Sequence, residues 1–483
     1  MIEKIKSFLD HVFWGYPKTS IHIRMQSVFF IILFFSGVIY WVYFFNSGIL
    51  SLTAYDWIKE DAYLNTLRLA QTNNQIPWQW GDRFFHGIDK FLVNPEVVLT
   101  PDIILLRWIS NGSFIVFHTI LFYSVGFLGS LIIARKLNAR FVAFSIFWLL
   151  FNFNGYLTAH IGVGHFEWTG YFLIPFFFII LFKFAEKKQK TPLLDITSVL
   201  WMALLFGCLF LNGSFHIAIW CSIFMSIALL WRWAMLPSVF TSILFGIMLG
   251  FGRLLPAALW FPKKSAWPLG SGYPTFGTFL DALTGLRLYD FPGIQGVGWW
   301  EYDIYIGFVA FAILLISLAI ALKQNKIPYQ PFLFIVACFF MFLSLGNVYF
   351  LITKLPIPFV GIERVSSRFI VLPFILFLIT AMTGIGEMLS SWEKNTKTLL
   401  FIGLPIVAGE LLLHSFYWRV TYIEQSFKDL AKPMISLVPC SDLSYIALVY
   451  ASWAVSLISL IIVVSALFRE LYTNRSSLQT IRV

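Results

Sequence analysis

The chain has 483 residues, 59% of them hydrophobic, 19% aromatic and only 12% charged, with a mean hydropathy of +0.80 and a formal net charge of +10. So few charges exclude a soluble globular domain and leave a membrane protein. Cys208, Cys221 and Cys338 lie in apolar runs and Cys440 in a polar stretch, which excludes a disulfide framework or a zinc spacing.

Apolar runs recur from end to end, each approaching the length that crosses a hydrocarbon core of about 30 Å. Backbone polar groups in lipid must be satisfied internally, so the runs are expected to be helices, and the alternation of a membrane barrel is absent. Twelve spans are expected, at 25–49, 112–134, 140–157, 167–184, 196–211, 215–231, 238–260, 304–322, 331–347, 367–389, 398–417 and 444–468. The fold class is an all-α polytopic membrane protein, with a membrane domain over 25–468 between a polar segment at 1–24 and a basic tail at 469–483. The polar start and the long first run give no cleavable signal peptide.

Charge orients the spans. With the N-terminus inside, the cytoplasmic segments hold 19 Lys and Arg against 7 Asp and Glu, and the outer loops 14 against 16 over much more sequence. That bias is the positive-inside pattern, with both termini cytoplasmic. The basic excess is therefore an orientation signal, and no nucleic-acid partner is expected. The long loops, 50–111 and 261–303, face outward, with moderate ones at 348–366 and 418–443. Chemistry is expected on that side.

The first outer loop opens with YDWIKEDAY at 55–63, four charges in nine residues. Residues 57–72 have helical periodicity, with Ile58, Ala62, Leu64, Leu67 and Leu69 apolar, as in an amphipathic helix at the interface. NNQIP ends it, and Pro77, Trp78 and Trp80 mark a turn with interfacial aromatics. Helical spacing puts Asp56 and Glu60 on one face and Asp61, Asn65 and Arg68 on another. Asp56 also stands where a helix N-cap belongs, and Glu60 and Asp61 also fit a solvated first turn.

Further along, TAHIGVGHFEWTGYFLIP at 158–175 brings His160, His165 and Glu167 to an outer helix end. A histidine and a carboxylate there fit a hydroxyl or a divalent cation, although histidines five apart do not share a helix face. His216 in NGSFH and Glu301 in WWEYDIYIG are similar candidates. ERVSSRFIVLP at 363–373 sets Arg364 and Arg368 at the outer start of a span, against the charge bias. Arginine suits phosphate through its planar fork, and also snorkels at helix ends. Arg253 and Glu410 fall inside expected spans, where charges mark functional or paired sites.

This order of segments resembles the GT-C superfamily of membrane glycosyltransferases. An acidic residue after the first span, an amphipathic helix and a Pro-aromatic turn share its layout. DAYLN at 61–65 looks like the D-x-Y-x-N run of its oligosaccharyltransferase-type members. IPWQWGDRFFHGIDKFLVNPEVVLTPDIILL is closer to the YfhO-like branch through Pro77, Trp78, Gly87, Phe91, Asn94, Pro95 and Pro101, although FHG stands where that branch has a double glycine. The Gly-His, Glu-Tyr…Tyr-Ile-Gly and Arg…Ser-Arg-Phe segments agree, so the resemblance covers most of the chain.

The resemblance implies transfer of a sugar from a polyprenyl-phosphate donor to a glycan, lipid or protein acceptor on the outer face, by inverting displacement. It puts the general base on the first acidic residue of the first loop: Asp56 by its position about 21 residues before the Pro-Trp turn, or Asp61 by the DAY match. For that chemistry the residues above are expected to serve as follows: Arg364, Arg368 and Arg253 at the donor phosphate, and His165, Glu167, Glu301 and His216 at the sugar or acceptor. The resemblance names no cofactor, and a divalent cation stays open only through His165 and Glu167. Polyprenyl donors suit a prokaryotic cytoplasmic membrane, and the endoplasmic reticulum is the other setting. Rival readings are a secondary transporter or lipid-linked glycan flippase, a polysaccharide polymerase or ligase, and a non-catalytic scaffold. Against the transporter stand the absence of a half-to-half repeat and the gathering of acids at outer helix ends. Against the polymerase stands a dominant loop that comes first.

Overall fold

The computed structural model describes residues 10–17, 19–84, 87–186, 194–261, 271–286, 297–328, 330–354, 363–424 and 434–480. Of the described residues, 79% are helical. Eight helices among the described residues are long and apolar enough to cross a membrane, from Ser20–Phe44 to Leu443–Glu470. Four shorter apolar helices, Ile196–Leu211, Phe215–Ala228, Phe308–Gln324 and Gln330–Leu343, lie at other expected spans. The protein is an all-α membrane protein. Parts of the expected loops (262–270, 287–296, 355–362 and 425–433), residues 1–9 of the N-terminal segment, Phe85 and His86 of FHG, and the last three residues lie outside the described residues.

Two compact units share the chain. One comprises Met1–Trp57, Gly112–Pro175 and Ala266–Leu430; the other comprises Ile58–Asn111, Phe176–Ser265 and Ala431–Val483. In the first, the helix Val371–Ser391 is almost wholly buried and packs on Phe308–Gln324 and Phe141–Phe153. Gly384 allows the first of these contacts: a Cβ there would stand 1.9 Å from the Ser317 carbonyl oxygen. The span expected at 140–157 is broken at Asn154, whose side chain accepts from Leu157 N at 3.0 Å and starts a new helix, Gly155–Val163.

In the second unit, Leu200, Ala203, Leu249, Val463 and Leu467 form a common core. The span expected at 238–260 is two helices, Leu236–Leu249 and Phe251–Trp260, parted at Gly250 where the Phe210 ring packs against the backbone. Arg253 therefore lies beyond the break and not within a continuous span. Its Nη2 donates to the carbonyls of Asn94, Pro95 and Val97 at 3.0, 2.9 and 2.6 Å, holding the first loop in shape.

The expected first-loop helix is present as Trp57–Thr72 and stops at Asn73-Asn74, where Asn74 takes a left-handed φ of 52°. It is more buried than an interfacial helix. Glu60 and Asp61 are 1% and 5% exposed, which overturns a solvated first turn. Burial is tolerable because each carboxylate is near a partner: Lys59 Nζ is 3.8 Å from Glu60, and Asn111 Nδ2 donates to Asp61 at 2.8 Å and to Asn65 at 2.9 Å. Asp61 and Asn65 thus share a face, as their spacing predicts. Trp80 is not an interfacial anchor. It is fully buried, stacks on Tyr63 and donates from Nε1 to Thr66 Oγ1 at 2.9 Å, within a short antiparallel pairing of Gln79–Trp80 with Leu437–Val438.

Candidate functional site

The first unit gathers Asp56, His160, His165, Glu301, Glu363, Arg364 and Arg368. The arrangement starts with a helix terminus. Gly155–Val163 ends at Gly164, which takes φ 98°, and the N–H groups of His165 and Gly164 bond back to the carbonyls of His160 (3.0 Å) and Ile161 (3.2 Å). This left-handed glycine cap turns the chain back on itself. His165 is brought over His160, and their Nδ1 atoms lie 2.7 Å apart. Five-residue spacing excludes this pair on a continuous helix; the reversal at Gly164 makes it.

The same terminus positions Asp56. Helix C-terminal carbonyls need outside donors. Val163 O accepts from Asp56 N at 3.1 Å, and Gly162 O accepts from Trp57 Nε1 at 2.8 Å. A Cβ on Gly164 would stand 2.4 Å from Trp57 N, so only glycine lets the 56–57 backbone come so close. Asp56 directly precedes the first-loop helix, and its side chain is 43% exposed with Oδ2 3.5 Å from His165 Nε2. When neutral His165 turns an Nε2–H toward this carboxylate, its Nδ1 is an acceptor, and His160 must carry its proton on Nδ1. Asp56, His165 and His160 then lie in one line from a half-exposed carboxylate to a fully buried ring.

Beside it lies a buried charge cluster. Arg368 Nε and Nη2 donate to Glu301 at 2.7 and 2.6 Å, and Nη1 is 3.7 Å from Glu363. The guanidinium lies 5.0 Å over Trp168, and His160 meets the same indole edge-on at 4.7 Å. The turn Trp299–Glu301 is fixed by Ser367 Oγ, which donates to the Glu301 carbonyl at 2.5 Å. Burial pushes the Glu301 carboxyl up, but Arg368 more than offsets this, with His165 and Arg364 adding to it, so Glu301 stays below the usual carboxylate range.

The remaining sequence candidates divide. Glu167 is buried in this unit at the first turn of Phe166–Leu173. Arg364 is half-exposed, and its carbonyl accepts from Ser271 N at 3.1 Å. Arg368 is buried and neutralised by Glu301 and Glu363. Asp61, Arg253 and His216 belong to the second unit, where His216 sits 5.7 Å from the Trp220 ring. Among the described residues no three His, Cys, Asp or Glu are grouped to hold a metal ion.

No family model, no curated protein and no solved structure matches the chain.

Sequence reasoning passed over Asp303 and His414. Asp303 is 1% exposed, and its Oδ2 takes His414 Nε2 and Trp418 Nε1, each at 3.0 Å. No local pattern marks a pairing across 111 residues; the only sequence signal is an acid in an aromatic turn and a histidine in an apolar helix.

Proposed function

We propose that the protein is a membrane glycosyltransferase with twelve spans and cytoplasmic termini, which moves a sugar from a polyprenyl-phosphate donor to an acceptor hydroxyl on the outer face. The observation that carries this reading is the accessible Asp56 carboxylate, backed by two histidines and set by the terminus of a buried helix. A base must be reachable by its substrate and able to pass its proton on. Asp56 meets both needs, and Asp61, buried against Asn111, meets neither as well.

In the proposed step the acceptor hydroxyl attacks the anomeric carbon and gives its proton to Asp56. The bond from that carbon to the phosphate oxygen breaks, and polyprenyl phosphate leaves with the electron pair. Asp56, with its side chain 43% exposed, then passes the proton to water, while His165, set by His160, orients the carboxylate. Arg364, half-exposed, faces the leaving phosphate, while Arg368 holds Glu301 and Glu363 in place. A donor aimed at such developing charge contributes about 2.7–4 kcal/mol.

The test is the purified protein in lipid vesicles, supplied with polyprenyl-phosphate hexose and soluble acceptors. Acceptor-dependent release of polyprenyl phosphate supports the reading. Solute-driven proton flux without release would overturn it in favour of a transporter. One observation favours that second reading: Glu410 and His414 are one turn apart on the apolar helix Glu393–Trp418, His414 faces Asp303, and Glu410 Oε2 has no hydrogen-bond partner among the described residues.

Gly164→Ala is a sharper probe of the site. The added methyl forces the Asp56–Trp57 backbone away, and misplacement by about 1 Å costs on the order of 100-fold in rate. Steady-state transfer should fall by that factor, with donor binding kept. Unchanged turnover would remove Gly164 from the positioning of the base.

A further inference from the structure

Beside Asp56, three aromatic rings from three separate segments meet. Tyr55 precedes Asp56, Trp300 precedes Glu301, and Tyr422 lies in the last turn after the helix Glu393–Trp418. Tyr55 is 4.9 Å from Tyr422 and 5.1 Å from Trp300, and Trp300 is 6.3 Å from Tyr422, all between ring centroids at steep angles. An interfacial belt also supplies aromatics, but its rings spread into lipid separately. These converge, and they are held. Tyr422 stacks on Trp418 at 5.0 Å, and Trp418 is fully buried and tied through Nε1 to Asp303. The Trp300 indole lies over Gly298, where a Cβ would stand 2.1 Å away.

Tyr55 is nevertheless 49% exposed, and it takes φ 46°, a left-handed conformation that a bulky residue rarely adopts. Strain of that kind is kept where the surroundings impose it and collects at ligand sites. Directly after Tyr422 in the chain, Ile423 and Glu424, the latter paired with Arg419, line a recess of about 500 Å³ with Asn46, Ile49, Leu50 and Ser51. Rigid ring faces with nearby amide, hydroxyl and carboxylate groups match one chemistry in particular. A pyranose presents C–H bonds on its faces and hydroxyls around its rim, so it stacks on rings while its rim finds polar partners.

We infer that Tyr55 and Trp300, seated on the buried Tyr422, form a sugar-binding platform, and that the acceptor is therefore a glycan and not a peptide or a simple lipid headgroup. The inference rests on the proposed transferase reading for the word acceptor; binding itself does not depend on turnover. The strained Tyr55 backbone then has a purpose: it presents the ring on one side while the next residue presents its carboxylate to His165.

The experiment is saturation-transfer NMR and tryptophan-fluorescence titration on the full-length protein in nanodiscs, with maltotetraose and chitotetraose as probes. A glycerol phosphate tetramer and an unglycosylated decapeptide are the counter-probes. At least one oligosaccharide should receive saturation at its ring protons. Its affinity should fall roughly 10-fold in Trp300→Ala and in Tyr55→Ala. Trp300→Phe should restore much of it, and the titration is read with no sugar donor present, which separates failure of this site from failure of the transferase reading. No saturation reaching the ring protons of either oligosaccharide would overturn the proposal. So would equal binding by folded Trp300→Ala and Tyr55→Ala, or preference for either counter-probe.

Discussion

Asp56→Asn is expected to lower sugar transfer by roughly 10²–10⁴-fold, the usual contribution of a positioned general base. The substitution keeps the shape and the backbone bond to Val163 O but removes the carboxylate beside His165 Nε2. Donor binding should be kept, because no phosphate contact is lost. Asp61→Asn is the matched control. Asp61 accepts from Asn111 inside the other unit, and an asparagine can turn its own oxygen to the same donor. Its transfer rate should stay within a few-fold of wild type. Quenched-flow assay of both variants decides between the two carboxylates, and equal losses would leave Asp56 without its special role.

The second large effect is on stability. Arg368 and Glu301 have side chains 6% and 4% exposed, paired through two bonds. Breaking a buried pair by removing one partner costs about 3–5 kcal/mol, because the other charge is stranded. Arg368→Met strands two carboxylates and should reach that range. Glu301→Gln should cost less, since Glu363 remains 3.7 Å from the guanidinium. Thermal unfolding in detergent, followed by tryptophan fluorescence, should rank the two in that order, and the reverse order would contradict the pairing. The pH dependence has a definite sign. Glu301 is held below its ordinary range, so its stabilising contribution is complete at neutral pH and above. It is lost as pH falls through the depressed value, and Glu301→Gln should flatten that acid limb.

The first-loop helix was legible from pattern alone, because its apolar spacing and its Asn-Asn stop are local signals that the fold obeys. Asp61 and Asn65 were legible as one face for the same reason. Burial of that face was not, since it depends on Asn111, fifty residues from Asp61 in sequence. The His160–His165 pair was hidden by its spacing, although the glycine just before His165 is the residue type that ends a helix in a reversal. Glu301 and Arg368 each stood out as charges at helix starts. Their pairing across 67 residues has no local sequence signature, and it converts Arg368 from an open cation into an anchor. Arg253 shows the converse. An apolar run hid the break at Gly250, so an arginine expected within a span is a clamp on three loop carbonyls.

The most direct test of a carboxylate-base sugar transfer is the anomeric configuration of the product from one turnover, read by NMR after mixing enzyme, polyprenyl-phosphate hexose and an oligosaccharide acceptor. The account predicts a product inverted at the anomeric carbon, formed by wild type and Asp61→Asn and lost in Asp56→Asn. A retained configuration, or an inverted product formed equally well without the Asp56 carboxylate, would contradict it.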